Sequence, residues 1–187
     1  MCPHTLRRQP YKTMRRNIRK NGSSGFTLIE LIVVLAIIGI LASIILASLT
    51  SSRARGRDVA RKMDLRQLQT ALELYYDDYN AYPITPGTSW YSSEAGDQAS
   101  NNGGDWIPGL VPKYSPALPH DPQGGLLPAC SNWMRAYLYR SNGTHYKILA
   151  HCGTETGWPT VGQSMYDPIR PGWSLMVCDG EPACSTW

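Results

Sequence analysis

At 187 residues, with 42% hydrophobic and 17% charged side chains, the chain has the length of one ordinary domain plus an extra element, and its composition excludes a disordered chain. Its net charge of +4 is unevenly placed: residues 1–25 carry seven basic side chains (Arg7, Arg8, Lys12, Arg15, Arg16, Arg19, Lys20) and no acid, and residues 26–187 hold 11 basic and 14 acidic ones. The basic isoelectric point therefore belongs to the N-terminal segment and argues against a nucleic-acid-binding body.

Leu31 to Leu49, LIVVLAIIGILASIILASL, is a run of nineteen residues without a charge. At a rise of about 1.5 Å per residue such a helix spans about 28 Å, close to the thickness of a bilayer core. A secretory signal has a shorter core, about 7–15 residues, followed by a small-residue cleavage site. Ala47-Ser48-Leu49 imitates such a site, but the run is too long for one. The basic segment before it favours a cytoplasmic N terminus, although Arg53, Arg55, Arg57, Arg61, Lys62 and Arg66 follow the run and leave little charge asymmetry.

From Ser51 to Tyr79 there is no proline, and Gly56 is the one glycine. Val59, Met63, Leu68, Leu72, Tyr75 and Tyr79 recur mostly every three to four residues and predict an apolar stripe on an amphipathic helix. Tyr82-Pro83 cannot continue it. One helix is expected from about Thr27 to Asn80, apolar all round in its first half and amphipathic in its second.

Thr85–Gln123 is rich in Pro, Gly, Ser and Asn and reads as a long loop region with a short helical turn near Trp106–Leu110. Strands are expected at Ala136–Arg140 and His145–Ala150, with Tyr137 and Tyr139 alternating along one and Tyr146, Ile148 and Ala150 along the other. Asn142-Gly143 between them predicts a type I′ hairpin turn, in which both central residues need positive φ. Ser174–Cys178 reads as a third strand. Asn142-Gly143-Thr144 also fits a glycosylation sequon, which the hairpin explains without glycosylation.

Four of the five cysteines, Cys130, Cys152, Cys178 and Cys184, fall in the last third of the chain. In an exported domain they read as two disulfides. Of three connectivities, Cys130–Cys152 with Cys178–Cys184 is favoured, because each pair is close in sequence and the second closes a tight loop. A zinc site is the rival reading, and the spacings contain no C-x-x-C.

Immediately before the apolar run stands Gly25-Phe26-Thr27-Leu28-Ile29-Glu30. From Gly25 to about Leu49 this stretch resembles the cleavage and polymerisation segment of the type IV prepilin family, which includes the pseudopilins of type II secretion. The resemblance implies that a prepilin peptidase cuts after Gly25 and N-methylates Phe26, the chain being the substrate and not an enzyme. Glu30 is the sole ionisable side chain between Phe26 and Leu49, and a lone carboxylate is costly in lipid. The resemblance implies that it pairs with the Phe26 α-amine of a neighbouring subunit; the bland alternative places it, solvated, at the headgroups. Tyr75–Pro83 and Leu118–Gly124 look similar to segments of major pseudopilins, whereas the inserted loop and four cysteines look more like pilins.

Several weaker signals have bland readings. Gly39 reads as an ordinary transmembrane glycine. His145 and His151-Cys152 lack a third clear metal ligand. Major pseudopilins often bind calcium in this region, and Asp167, Asp179 and Glu181 are possible oxygen donors, without a motif that carries the site over. The six tryptophans read as core packing ahead of a stacking surface. The Arg53–Arg66 cluster reads as facing headgroups or acidic partners ahead of DNA. No P-loop, G-x-S-x-G, H-E-x-x-H or G-x-G-x-x-G motif is present.

The expected fold is α+β, a long N-terminal helix packed on a small antiparallel sheet. The expected organisation is a basic leader (1–25), a transmembrane polymerisation helix (26–50), its amphipathic continuation (51–82) and an extracytoplasmic loop-rich head (83–187). By resemblance the chain waits in the inner membrane as a single-pass subunit and then enters a pilus or pseudopilus. Its expected partners are other pilin subunits, prepilin peptidase, an inner-membrane assembly platform and, before assembly, the lipid bilayer. The alternative is a signal-anchored extracytoplasmic binding protein with an aromatic ligand surface, in which Glu30 would be dispensable.

Overall fold

The computed structural model describes residues 25–95, 97, 99, 101–126 and 134–187. The chain divides into two compact units, with the boundary between Ser43 and Ile44. In the first, Gly25–Thr27 lead into helix α1 (Leu28–Tyr79), which runs on into the second. No proline interrupts it, so its ladder is unbroken. Every described side chain from Phe26 to Leu46 is exposed.

Among its described residues the second unit holds the rest of α1, six strands and a final helical turn: β1 (Tyr91–Ser92), β2 (Asn101–Asn102), β3 (Gly125–Leu126), β4 (Met134–Ser141), β5 (Tyr146–His151), β6 (Ser174–Cys178) and α2 (Ala183–Thr186). Strand order is β2-β1-β4-β5-β6, with β3 also paired to β4. All pairs are antiparallel except β1 with β2. The register sets Tyr137 opposite Ala150, Tyr139 opposite Ile148, and Ile148 opposite Val177. Because side chains alternate along a strand, Tyr137, Tyr139, Tyr146, Ile148, Ala150 and Leu175 share the face that packs on Leu65, Leu68 and Leu72 of α1. Ala136, Leu138 and Leu149 form a second, smaller cluster with Trp90 and Met176.

The buried face of α1 differs from the expected stripe. Leu68 and Leu72 are fully buried, but Val59, Met63 and Tyr79 are 55%, 64% and 58% exposed. The face turned inward is Asp58, Arg61, Leu65, Leu68 and Leu72, at steps of three and four. Its first turns are charged, so apolarity does not mark them. Arg61, fully buried, donates to Asp121 (2.7 and 3.0 Å), Asp58 (2.8 Å) and Glu155 (2.9 Å). Arg57 adds a two-point contact to Glu155 (2.8 and 2.5 Å). Asp58 also accepts from the Glu155 and Thr156 amides and the Thr156 hydroxyl. Burial opposes the Arg61 charge, but hydrogen bonds and attraction from Asp121 and Glu155 hold its pKa above the ordinary value. The Arg57 guanidinium, with Arg61, holds Glu155 down at about 2 against burial. Arg57 and Arg61 thus find carboxylates within their own chain.

Helix α1 stops at Tyr79, where Asn80 turns left-handed (φ 52°) and its amide donates to Tyr76 O (2.7 Å). Asparagine therefore ends the helix ahead of Pro83. The segment 107–114 forms turns in place of the expected short helical turn, yet Trp106, Ile107 and Leu110 are fully buried. Gly109 (φ 80°) lies against Tyr75, whose Cε2 would be 3.2 Å from an added Cβ. The hairpin also departs from expectation. Ser141 and Tyr146 are the last pair, leaving a four-residue loop in which Gly143 has positive φ and Asn142 does not. Asn142 Oδ1 instead accepts the Thr144 and His145 amides (3.0 and 2.8 Å), closing the loop with a side chain where a type I′ turn would use backbone.

Candidate functional site

The residues singled out at the start of α1 form a compact local structure. Thr27 immediately precedes the helix, and its hydroxyl accepts the Glu30 amide (3.3 Å). In return, Glu30 Oε2 accepts the Thr27 amide (2.9 Å) and hydroxyl (2.7 Å). This is a reciprocal cap of the first-turn donors. Its signature, Thr-x-x-Glu ahead of an apolar run, is legible in the sequence, where attention to the cost of the charge hides it. Glu30 thus has a structural role within its own chain.

Around the cap the surface is apolar. Phe26, Ile29, Val33 and Val34 border an open hollow of about 290 Å³ with Glu30 on its wall. Phe26, the only phenylalanine of the chain, is 84% exposed, and Leu28 and Ile29 are 75% and 69% exposed. By length and composition α1 can cross a membrane: its most apolar window has a mean hydropathy of 3.0.

The prokaryotic N-terminal methylation motif matches residues 20–46. Type II secretion system core protein G of Klebsiella michiganensis is 32% identical over 116 residues, 58% of this chain and 73% of that protein. The chain belongs to the prepilin family of type IV pilins and type II secretion pseudopilins. Core protein G of Aeromonas hydrophila is 38% identical over 68 residues, 36% of this chain and 48% of that protein. Type IV major pilin protein PilA of Myxococcus xanthus is 35% identical over 74 residues, 40% of this chain and 34% of that protein. This chain spans about half the length of the Aeromonas and Pseudomonas relatives it matches. No solved structure matches it significantly. The family is one of structural subunits, and its apolar helix and methylation motif fit a membrane-anchored pilin or pseudopilin.

The other predicted site residues of this prepilin, Gly39 apart, lie in the second unit. Cys178 and Cys184 form a disulfide that ties β6 to α2. Cys152 is disulfide-bonded, and Cys130 lies outside the described residues. The possible calcium donors have other occupations. Asp167 accepts from the buried Lys147 ammonium (2.9 Å), Ser174 (2.7 Å) and the Ile169 amide (3.0 Å). Asp179 meets His145 and the Tyr146 amide (2.8 Å each), and Glu181 accepts from Ser185. Among the described residues no group of three His, Cys, Asp or Glu side chains is placed to hold a metal ion. Gly39 has open space around it.

Proposed function

We propose that prepilin peptidase cuts this chain after Gly25 and methylates the new Phe26 amine, and that the subunit then polymerises with Glu30 paired to the Phe26 amine of a neighbour. In this reading residues 1–25 are the leader, 26–50 the membrane and polymerisation helix, 51–82 its amphipathic continuation and 83–187 the extracytoplasmic head. The subunit waits in the inner membrane and is lifted by an assembly platform into a type IV pilus or a type II secretion pseudopilus.

The observation that carries this reading is the single carboxylate at the start of a wholly exposed apolar helix. Cleavage would create a positive amine beside the positive end of the helix dipole, where cation and dipole repel. A buried carboxylate and a buried amine are each costly in lipid. Pairing them between subunits relieves both costs and fixes the axial register.

Glutamine supports the same cap without the charge, so Glu30→Gln separates the two roles of Glu30. The mass of the mature N-terminal peptide and the yield of filaments are measured for the native chain, Glu30→Gln and Glu30→Ala. The proposal expects peptides beginning at N-methylated Phe26 in all three and filaments from the native chain alone. Normal filaments from Glu30→Gln would remove the charge pair. An intact Gly25–Phe26 bond in a host with active peptidase would remove the assembly mechanism.

A further inference from the structure

The outer face of the sheet, away from α1, carries a pocket that assembly through the helix does not use. Leu138 of β4 and His151 of β5 line it, the segment after Asp167 walls it with Ile169, Arg170 and Trp173, and Trp90 also lines it, against Arg170. Its volume is about 500 Å³, within the range of small-ligand sites.

The wall is fixed by the fold. Lys147, pointing outward between Tyr146 and Ile148, is fully buried and pairs with Asp167 (2.9 Å). Asp167 in turn holds the Ile169 amide and the Ser174 hydroxyl, pinning both ends of the segment that carries Arg170 and Trp173. Arg170 Nη1 donates to Trp187 O (2.9 Å), and its guanidinium lies 5.1 Å from the Trp90 ring centre. Arg140 lies between Trp90 and Trp187, 6.0 and 4.7 Å from their ring centres. Because Lys147 already neutralises Asp167, the longer Arg170–Asp167 contact (3.5 Å) leaves Arg170 Nε and Nη2 with no hydrogen bond to a described residue. Trp173 remains 55% exposed at the mouth.

These features select a ligand. A rigid guanidinium whose Nε–Nη2 edge has no hydrogen bond to a described residue matches a carboxylate. An exposed indole beside it offers a flat apolar surface with a polar rim. A pocket this open to water suits a ligand that is polar around its edge and apolar on one face, and does not suit a lipid tail, which needs enclosure. We propose that the pocket binds a carboxylated pyranose, one unit of an acidic polysaccharide, with Trp173 stacked on the C–H face of the ring and Arg170 on its carboxylate. The site lies wholly in the head, so it stands whether or not the subunit polymerises as proposed above.

The test uses the full chain, unassembled in detergent, titrated with trigalacturonate and with its methyl ester, which keeps the rings and removes the charge. Saturation-transfer NMR and calorimetry read binding. The acid form should bind, and the ester at least about tenfold more weakly. Trp173→Ala, at an exposed side chain, and Arg170→Gln should each weaken binding of the acid at least about tenfold with the circular dichroism unchanged. Arg170→Lys should retain part of the affinity, since the charge remains without the fork. The proposal is overturned if the native chain shows no binding at about 10 mM trigalacturonate, a level weaker than any useful site. Equal binding of the ester, or full binding by Trp173→Ala, overturns it as well.

Discussion

Replacing Arg61 should be among the most damaging single changes in the second unit. The side chain is fully buried and holds three carboxylates, which do not depend on it equally. Without it, Glu155 keeps Arg57 (2.5 Å) and Arg135 (3.7 Å). Asp58 keeps the Glu155 amide and both Thr156 donors. Asp121, whose side chain is also fully buried, would keep among the described residues only the Gln123 amide at 2.8 Å as a hydrogen-bond partner. The cost of Arg61→Met is therefore chiefly one uncompensated buried carboxylate, about 3–5 kcal/mol. Methionine keeps much of the stem volume, so little of the loss would come from a cavity. For a protein of this size the midpoint should fall by roughly 2–4 °C per kcal/mol.

The assay is thermal unfolding of the full chain in detergent, followed by near-ultraviolet circular dichroism, for the two single variants Arg61→Met and Asp121→Asn and their combination. Neutralising Asp121 should damage the native protein but partly rescue Arg61→Met, giving a coupling energy of about 1–3 kcal/mol. An Arg61→Met loss below about 1 kcal/mol would mean that the network is no stronger than a surface ion pair. An Asp121→Asn change that deepens the Arg61→Met loss would refute the assignment of Asp121 as the exposed dependency.

The same network sets an acid limit. Glu155 titrates near 4.5 when unfolded and about 2 when folded, so its contribution is complete above pH 4.5 and is lost as the pH falls toward 2. Asp64, raised by burial, works in the opposite sense and offsets part of this. His151, whose pKa is lowered by burial, begins to cost stability below its unfolded value of 6.5. Urea midpoints measured from pH 7 to 3 should therefore decline in two steps, and His151→Gln should remove the upper one; a flat profile would refute both assignments. The Cys178–Cys184 disulfide closes a separation of 6 residues, and loop-closure entropy for so short a loop gives about 2 kcal/mol. Cys178→Ser combined with Cys184→Ser should lower the midpoint by roughly 4–8 °C, and an unchanged midpoint would show that α2 is held by its other contacts.

How far the sequence could be read depended on what each element asks of its residues. Helix α1 was legible almost to the residue, because an unbroken proline-free stretch with an apolar first half leaves few alternatives. Strand β6 was legible over its whole length, and β4 and β5 to within two residues at either end. The inward face of α1 was not legible in its first turns. Val59 and Met63 look like core, and Asp58 and Arg61 look like surface, until Asp121 and Glu155 are brought beside them from 60 and 94 residues away. Distance along the chain hides charge pairing, whereas hydrophobic period is local. The same limit hid the Lys147–Asp167 pair under the outer pocket. The hairpin turn failed for a different reason: Asn-Gly admits a type I′ turn but does not compel one when the asparagine side chain can close a longer loop.

The two units treat their charges in opposite ways, and this bears on assembly. In the second unit, buried cations such as Arg61 and Lys147 find carboxylates within the same chain. At the start of α1 the only carboxylate finds hydroxyl and amide donors, and no cation among the described residues. In lipid an exposed apolar helix is already satisfied, because hydrocarbon tails are as apolar as leucine. Apolar surface alone would therefore give the subunit little reason to leave the bilayer for a filament. Under the proposal the Glu30 carboxylate gives it one, and more so once cleavage has set an amine beside the helix start. On the proposed mechanism the greasy face makes the helix tolerable in both environments, and Glu30 supplies the difference between them. Because a carboxylate–amine pair forms only at one axial offset, Glu30 on that mechanism would also fix the register of the filament.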